Sequence, residues 1–165
     1  MVIMGNMKNY VYERMYIVQS PSGDLLQVSR EQDVAVWDAE DGDAPDRDPS
    51  ELVAETRKIM LYKVDMTEKE LVEINGLHDH LLFLGLSQSH CLSAEEHPQL
   101  KANHIYLTDD DHGFAMRKSN RRDIGVFNLE NNSTEEIVSP RLWCSWPAPI
   151  WITPNLTKMS SGLNT

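Results

Sequence analysis

A chain of 165 residues, 41% hydrophobic and 25% charged, is long enough and apolar enough for one domain with an ordered core. Fifteen Lys and Arg against 26 Asp and Glu leave a formal charge of −11, which repels phosphate backbones and anionic headgroups, so neither nucleic acid nor membrane is expected as a partner. No apolar run approaches the roughly 20 residues that span a bilayer, and residues 1–10 lack the long apolar stretch of a secretory signal, so the cytoplasm or nucleus is the expected compartment. Cys91 and Cys144 stand 53 residues apart with no CxxC or His-Cys zinc spacing, and both are expected as reduced thiols.

In chain order the signals are those of strands. Residues 10–20 are rich in aromatic and β-branched side chains, Pro21-Ser22-Gly23-Asp24 is a turn signature, and residues 25–30 resume the strand, which makes a hairpin. Residues 38–51 hold seven carboxylates and one Arg, which gives a solvated loop carrying −6 of the net charge. With Ser50 as N-cap, residues 50–58 are expected to form about two helical turns. Residues 58–65 and 69–74 then pair as strands across Met66-Thr67-Glu68. Farther on, residues 80–86 are an apolar run, 91–94 a short strand, 95–101 an irregular connection, and 103–109 and 124–130 two strands separated by a polar insertion. Asn131-Asn132-Ser133 turns the chain into residues 134–138, and beyond Pro140 the sequence is too proline-rich for a central strand until Ile150. Runs such as Ile59-Met60-Leu61-Tyr62, Leu81-Leu82-Phe83-Leu84 and Ile105-Tyr106-Leu107 are apolar on consecutive positions, which implies burial on both faces. With one short helix at most to cover them, the sheets must cover each other.

One internal echo relates the halves. Tyr62, Val64 and Asp65 match Phe127, Leu129 and Glu130, each 65 residues on, and each set precedes a polar turn and a second strand. A strand running by a tight turn into an outer strand is the last hairpin of a propeller blade. A 65-residue period fits about 2.5 blades into the chain, fewer than the roughly 4–8 that close a ring.

Several stretches carry a resemblance: residues 20–30 (SPSGDLLQVSR), Leu82-Phe83-Leu84-Gly85, Leu92-Ser93-Ala94, residues 100–110 around Asn103-His104-Ile105-Tyr106-Leu107, Asp123-Ile124-Gly125-Val126-Phe127, and Pro149-Ile150-Trp151-Ile152-Thr153-Pro154. In this order they resemble the C-terminal half of the plant KIB-type β-propeller domain, found mostly behind an F-box. The resemblance implies a substrate-recognition propeller whose F-box docks on the Skp1 adaptor of a cullin-based ubiquitin ligase. No stretch before Tyr16 is long enough for that helical module, so Skp1 binding is not expected of these residues. The expected layout is an N-terminal extension at 1–15 that can join a first strand, a partial propeller at 16–154, and a disordered tail at 155–165.

Candidate chemical sites each have a plainer reading. Asp109-Asp110-Asp111-His112 has the carboxylates a hard cation needs but also reads as an ordinary strand end, and residues 38–48 fail the EF-hand pattern, because Gly42 at the sixth loop position puts Trp37 and Ala39 at ligand positions. His78-Asp79-His80 offers acid–base groups, as do His90, His97, His104 and His112 singly, but no GxSxG elbow accompanies them. Arg117, Lys118, Arg121 and Arg122 could contact anions but read as a solvated loop; Trp143, Trp146 and Trp151 could anchor an interface but read as packing. Asn131, Asn132 and Asn155 begin sequons. No Gly-rich phosphate loop is present.

The expectation is therefore an all-β, open partial propeller of two to three antiparallel blades, without catalytic residues, metal or cofactor. It would act as a protein-interaction module that recognises its partner through loops at one end of the blades. The rival readings are a metal-dependent hydrolase or lyase on a propeller scaffold, and a non-functional gene fragment.

Overall fold

Two antiparallel hairpins in series build the first sheet. In the computed structural model, which describes residues 7–37, 53–85, 89–108, 123–135 and 137, β1 (Met7–Gln19) pairs with β2 (Leu25–Trp37), β2 with β3 (Val53–Asp65), and β3 with β4 (Glu70–Ile74). The β1–β2 turn follows its sequence: Pro21 presets the first turn position, Gly23 N–H donates to the Ser20 carbonyl at 2.9 Å, and Gly23 itself takes φ +91°. Both strands outrun the expected 10–20 and 25–30 and reach 13 residues each.

The helix expected over 50–58 is not formed; β3 begins at Val53. Val53, Thr56 and Ile59 are β-branched, no apolar stripe at helical spacing would hold a helix here, and β2 offers a ladder of backbone partners. The register against β2 slips where Lys58 opposes Glu31 and Thr56 opposes Gln32, so Arg57 is an extra, bulged residue. That bulge reverses the alternation of β3, so Ala54 and Thr56 face the same side as Ile59 and Leu61.

The second sheet has the order β6-β5-β7-β8-β9, formed by β5 (His80–Leu84), β6 (His90–Ser93), β7 (His104–Leu107), β8 (Gly125–Asn128) and β9 (Ser133–Glu135). Its ladders are antiparallel except β5–β7, a parallel pair in an otherwise antiparallel sheet. Residues 94–103 carry the chain across to make that pair, pinned where Asn103 N–H donates to the His80 carbonyl at 2.8 Å.

The sheets cover each other, as expected in the absence of helices among the described residues. One apolar cluster joins Val18, Leu26, Val28, Ile59 and Leu61 of the first sheet to Leu82, Leu84, Cys91, Ile105, Leu107 and Phe127 of the second. The consecutive apolar runs are nevertheless not buried evenly on both faces. Ile59, Leu61, Ile105 and Leu107 are buried, whereas Met60, Tyr62 and Tyr106 between them are half-buried; of the three runs, that of β5 buries the adjacent pair Leu81 and Leu82, with Leu84.

The internal echo does not hold at the expected 65 residues, although the two hairpins it compares are alike. The β3–β4 and β8–β9 hairpins each enclose four loop residues, between Asp65 and Glu70 and between Asn128 and Ser133. In each, the residue opening the loop accepts a backbone N–H two positions on (Asp65 from Thr67, Asn128 from Glu130), and the last loop residue, Lys69 or Asn132, is left-handed at φ 57° or 53°. Structurally equivalent residues are thus 63 positions apart, so Asp65 matches Asn128 rather than Glu130. The acidic stretch 38–51, the polar insertion and everything from Val138 on, including the tail at 155–165, lie outside the described residues.

Candidate functional site: the hairpin tips of the first sheet

Strand order alone sets two hairpin turns side by side: β1–β2 and β3–β4 both close at the same end of the first sheet. Between them lies a groove of about 330 Å³ lined by Gly23, Asp24, Leu25, Lys63, Val64, Asp65, Met66 and Val72. Its walls are braced by local hydrogen bonds. Ser20 Oγ accepts the Asp24 N–H at 3.0 Å and lies 2.8 Å from Ser22 Oγ, and Asp65 Oδ1 accepts the Thr67 and Glu68 N–H groups at 2.8 and 3.0 Å.

The groove keeps its charge. A hydrogen bond from Lys63, whose Nζ is 2.9 Å from Asp24 Oδ1, and the positive field of that ammonium hold the Asp24 carboxyl below its ordinary value. The Glu68 and Thr67 N–H groups do the same for Asp65. Both therefore stay ionised through mildly acidic pH. Beside these charges Met66, in the turn, is 74% exposed and Val72, on β4, half exposed. Charge fixed next to accessible apolar surface suits recognition of an extended protein segment.

A second polar cluster resembles an active site in composition and differs from one in access. Arg30, on β2, is fully buried; its Nε donates to Thr56 Oγ1 at 2.8 Å, Nη1 to the Thr108 carbonyl at 3.2 Å and Nη2 to Asp123 Oδ2 at 2.7 Å. The same Asp123 oxygen accepts from Gln32 Nε2 at 2.8 Å and Thr56 Oγ1 at 2.7 Å. All these groups are buried and spent on one another, so none is open to a substrate. The cluster instead clamps β2 and β3 to the segments after β7 and before β8. Arg30 and Asp123 both sit in stretches singled out in the sequence, yet their pairing, 93 residues apart, left no sequence signal.

The residues weighed from sequence divide clearly. His80 Nδ1 lies 2.9 Å from Asp79 Oδ1, because Asp79 sits in the turn before β5 rather than in the strand. His78, left-handed at φ 52°, is exposed in the same turn. His97 and His104 spend Nδ1 on the carbonyls of Ser93 and Ala102. Cys91 is buried, and desolvation reinforced by Asp79 pushes its thiol up to about 11, the reverse of activation. Among the described residues no group of three or more His, Cys, Asp and Glu could hold a metal, and no helix is long and apolar enough to cross a membrane. Asn131 and Asn132 form the β8–β9 turn. The Asp109–His112 cluster, Arg117, Lys118, Arg121, Arg122, Cys144, the three Trp and Asn155 lie outside the described residues. The hairpin-tip groove was missed as a site, although the turn signature at 21–24 and the polar turn after Asp65 marked both of its walls.

Residues 3–128 match the family model described as KIB1-4 beta-propeller. No curated protein and no solved structure matches the chain.

Proposed function

Because the chain belongs to the KIB1-4 beta-propeller family, we propose that it is a non-catalytic protein-interaction module that captures its partner at the hairpin tips of the first sheet. The observation that carries this reading is the tip groove, where the Asp65 carboxylate and the Asp24–Lys63 ion pair lie beside exposed Met66 and Val72. Such a surface favours an extended segment that offers an apolar side chain next to a cationic one. On the resemblance to plant F-box-associated propellers, we read that partner as a ubiquitination substrate in the cytoplasm or nucleus. In that arrangement the propeller selects, and an F-box supplies the contact to Skp1; residues 1–165 alone should not bind Skp1.

A photo-cross-linking amino acid at Met66, compared with one at exposed Thr134 on β9, tests the site. A discrete adduct at Met66 that disappears with Asp65→Lys is the expected result. Equal labelling from both positions, or adducts indifferent to Asp65→Lys, would remove the tips from recognition. Co-precipitation of residues 1–165 with purified Skp1 at micromolar concentration would overturn the division of labour.

A further inference from the structure

Asn75-Gly76 is the one Asn-Gly pair in the chain. It lies in the bend between β4 and β5, where Asn75 is exposed. Among the described residues neither the Asn75 side chain nor the Gly76 N–H has a hydrogen-bond partner. Other Asn side chains are held: Asn128 Oδ1 accepts the Glu130 N–H at 2.8 Å, Asn103 Oδ1 the Leu77 N–H at 2.9 Å, and Asn131 Oδ1 the Ser133 N–H at 3.1 Å. That last bond also occupies the nitrogen that follows Asn132. Just past Asn75 the chain is fixed. Leu77 is buried in the shared core and its carbonyl accepts the His80 N–H at 2.9 Å, while a Cβ on Gly76 would stand 2.8 Å from Asn103 Oδ1.

We propose that Asn75 is a site of spontaneous deamidation, and that its isoaspartyl product loosens the joint between the two sheets; the proposal is independent of the tip groove. The Gly76 nitrogen gives its proton to solvent base and attacks Asn75 Cγ. A bond from that nitrogen to Cγ forms, and the side-chain amide nitrogen leaves as ammonia. Glycine suits the attack, since no side chain crowds the nitrogen as it approaches. Water then opens the five-membered imide. Attack at Cγ breaks the new bond and gives aspartate; attack at the backbone carbonyl carbon breaks the original peptide bond and gives isoaspartate, whose main chain runs through Cβ and Cγ. Nothing is oxidised or reduced: water has replaced ammonia, and position 75 has gained a negative charge. Isoaspartate also lengthens the main chain by one carbon, about 1.5 Å. Ile74 is held by its pairing with Leu61 and Leu77 by Asn103, so the added length falls on positions 75 and 76, and Gly76 is already packed on Asn103. Residues 75–79 carry the chain from the first sheet to the second, which makes this bend the joint that the added carbon disturbs.

Ageing the full chain at mildly alkaline pH, folded and in concentrated urea, followed by digestion and peptide mass spectrometry, tests the site. Conversion at Asn75 should run at least tenfold faster than at Asn103, Asn128 or Asn131 in the same folded sample, and within tenfold of its own rate in urea. Part of the product should accept a methyl group from an isoaspartyl methyltransferase. A smaller margin over those three residues, a rate more than tenfold below that in urea, or a product without isoaspartate overturns the proposal. The joint is tested by melting the aged, chromatographically separated isoaspartyl form beside fresh Asn75→Asp, which supplies the charge without the extra carbon. The isoaspartyl form should melt several degrees lower. Equal melting overturns the effect on the joint, and so does an equal loss on ageing Asn75→Gln, which would place the damage elsewhere.

Discussion

Removing the Asp123 carboxylate should cost several kcal/mol of stability. Its Oδ2 accepts from Arg30, Gln32 and Thr56 at 2.7, 2.8 and 2.7 Å, and Arg30 is 0% exposed, so Asp123→Ala strands a guanidinium with no water to solvate it. Breaking one side of a buried pair costs about 3–5 kcal/mol, against total stabilities of about 5–15 kcal/mol. For a chain of this size that is a fall in Tm of roughly 6–20 °C. Arg30→Met should cost a comparable amount, since it leaves Asp123 charged and buried with two neutral donors. The pair together should cost less than the sum by about 2–3 kcal/mol, because the second change removes the orphan left by the first. Urea titrations of the two single variants and the double variant measure all three quantities. A loss under about 1 kcal/mol for Asp123→Ala, or additivity within about 0.5 kcal/mol, would refute the clamp as the joint between the sheets.

Gly125→Ala should lose about 1–3 kcal/mol, because the added Cβ would sit 2.5 Å from Thr134 Cγ2 and 2.7 Å from the Glu135 carbonyl; Thr134→Ala should restore only part in the same melts, since the backbone cannot withdraw. Phe127→Ala, which empties the centre of the shared core, should cost about 3–5 kcal/mol by denaturant titration. Lys69→Gly should raise stability by about 0.5–1 kcal/mol by relieving the left-handed φ of 57°, whereas Lys69→Val should lower it. Cys91 sets an alkaline limit: with its folded value raised to about 11 from 9.0, the stability it contributes is complete below about pH 9 and is lost as pH rises toward 11. Cys91→Val should flatten that decline by at most about 2–3 kcal/mol, read as the difference between two pH–stability curves.

Strand content, hairpin positions and the mutual cover of two sheets were readable from short-range pattern, because turn chemistry at Pro21–Asp24 and after Asp65 acts within five residues and apolar runs mark the strands that meet in the core. The family resemblance was readable for the same reason: its motifs are strands and turns in a fixed order. Other features were settled only by the assembled fold. Residues 50–58 offered Ser50 as an N-cap for a helix, but β2 supplies a ladder of backbone partners along one side of β3 and the sheet buries Ala54 and Thr56. The bulge at Arg57 and the parallel β5–β7 pair depend on what lies alongside, which no local pattern encodes. Likewise a lone Arg at position 30 and a lone Asp at 123 read as surface charges until two sheets close over them and make each the other's only adequate counter-ion among the described residues. The tip groove arises in the same way, since it joins residues from separate strands through register alone, and register is a property of the assembled sheet.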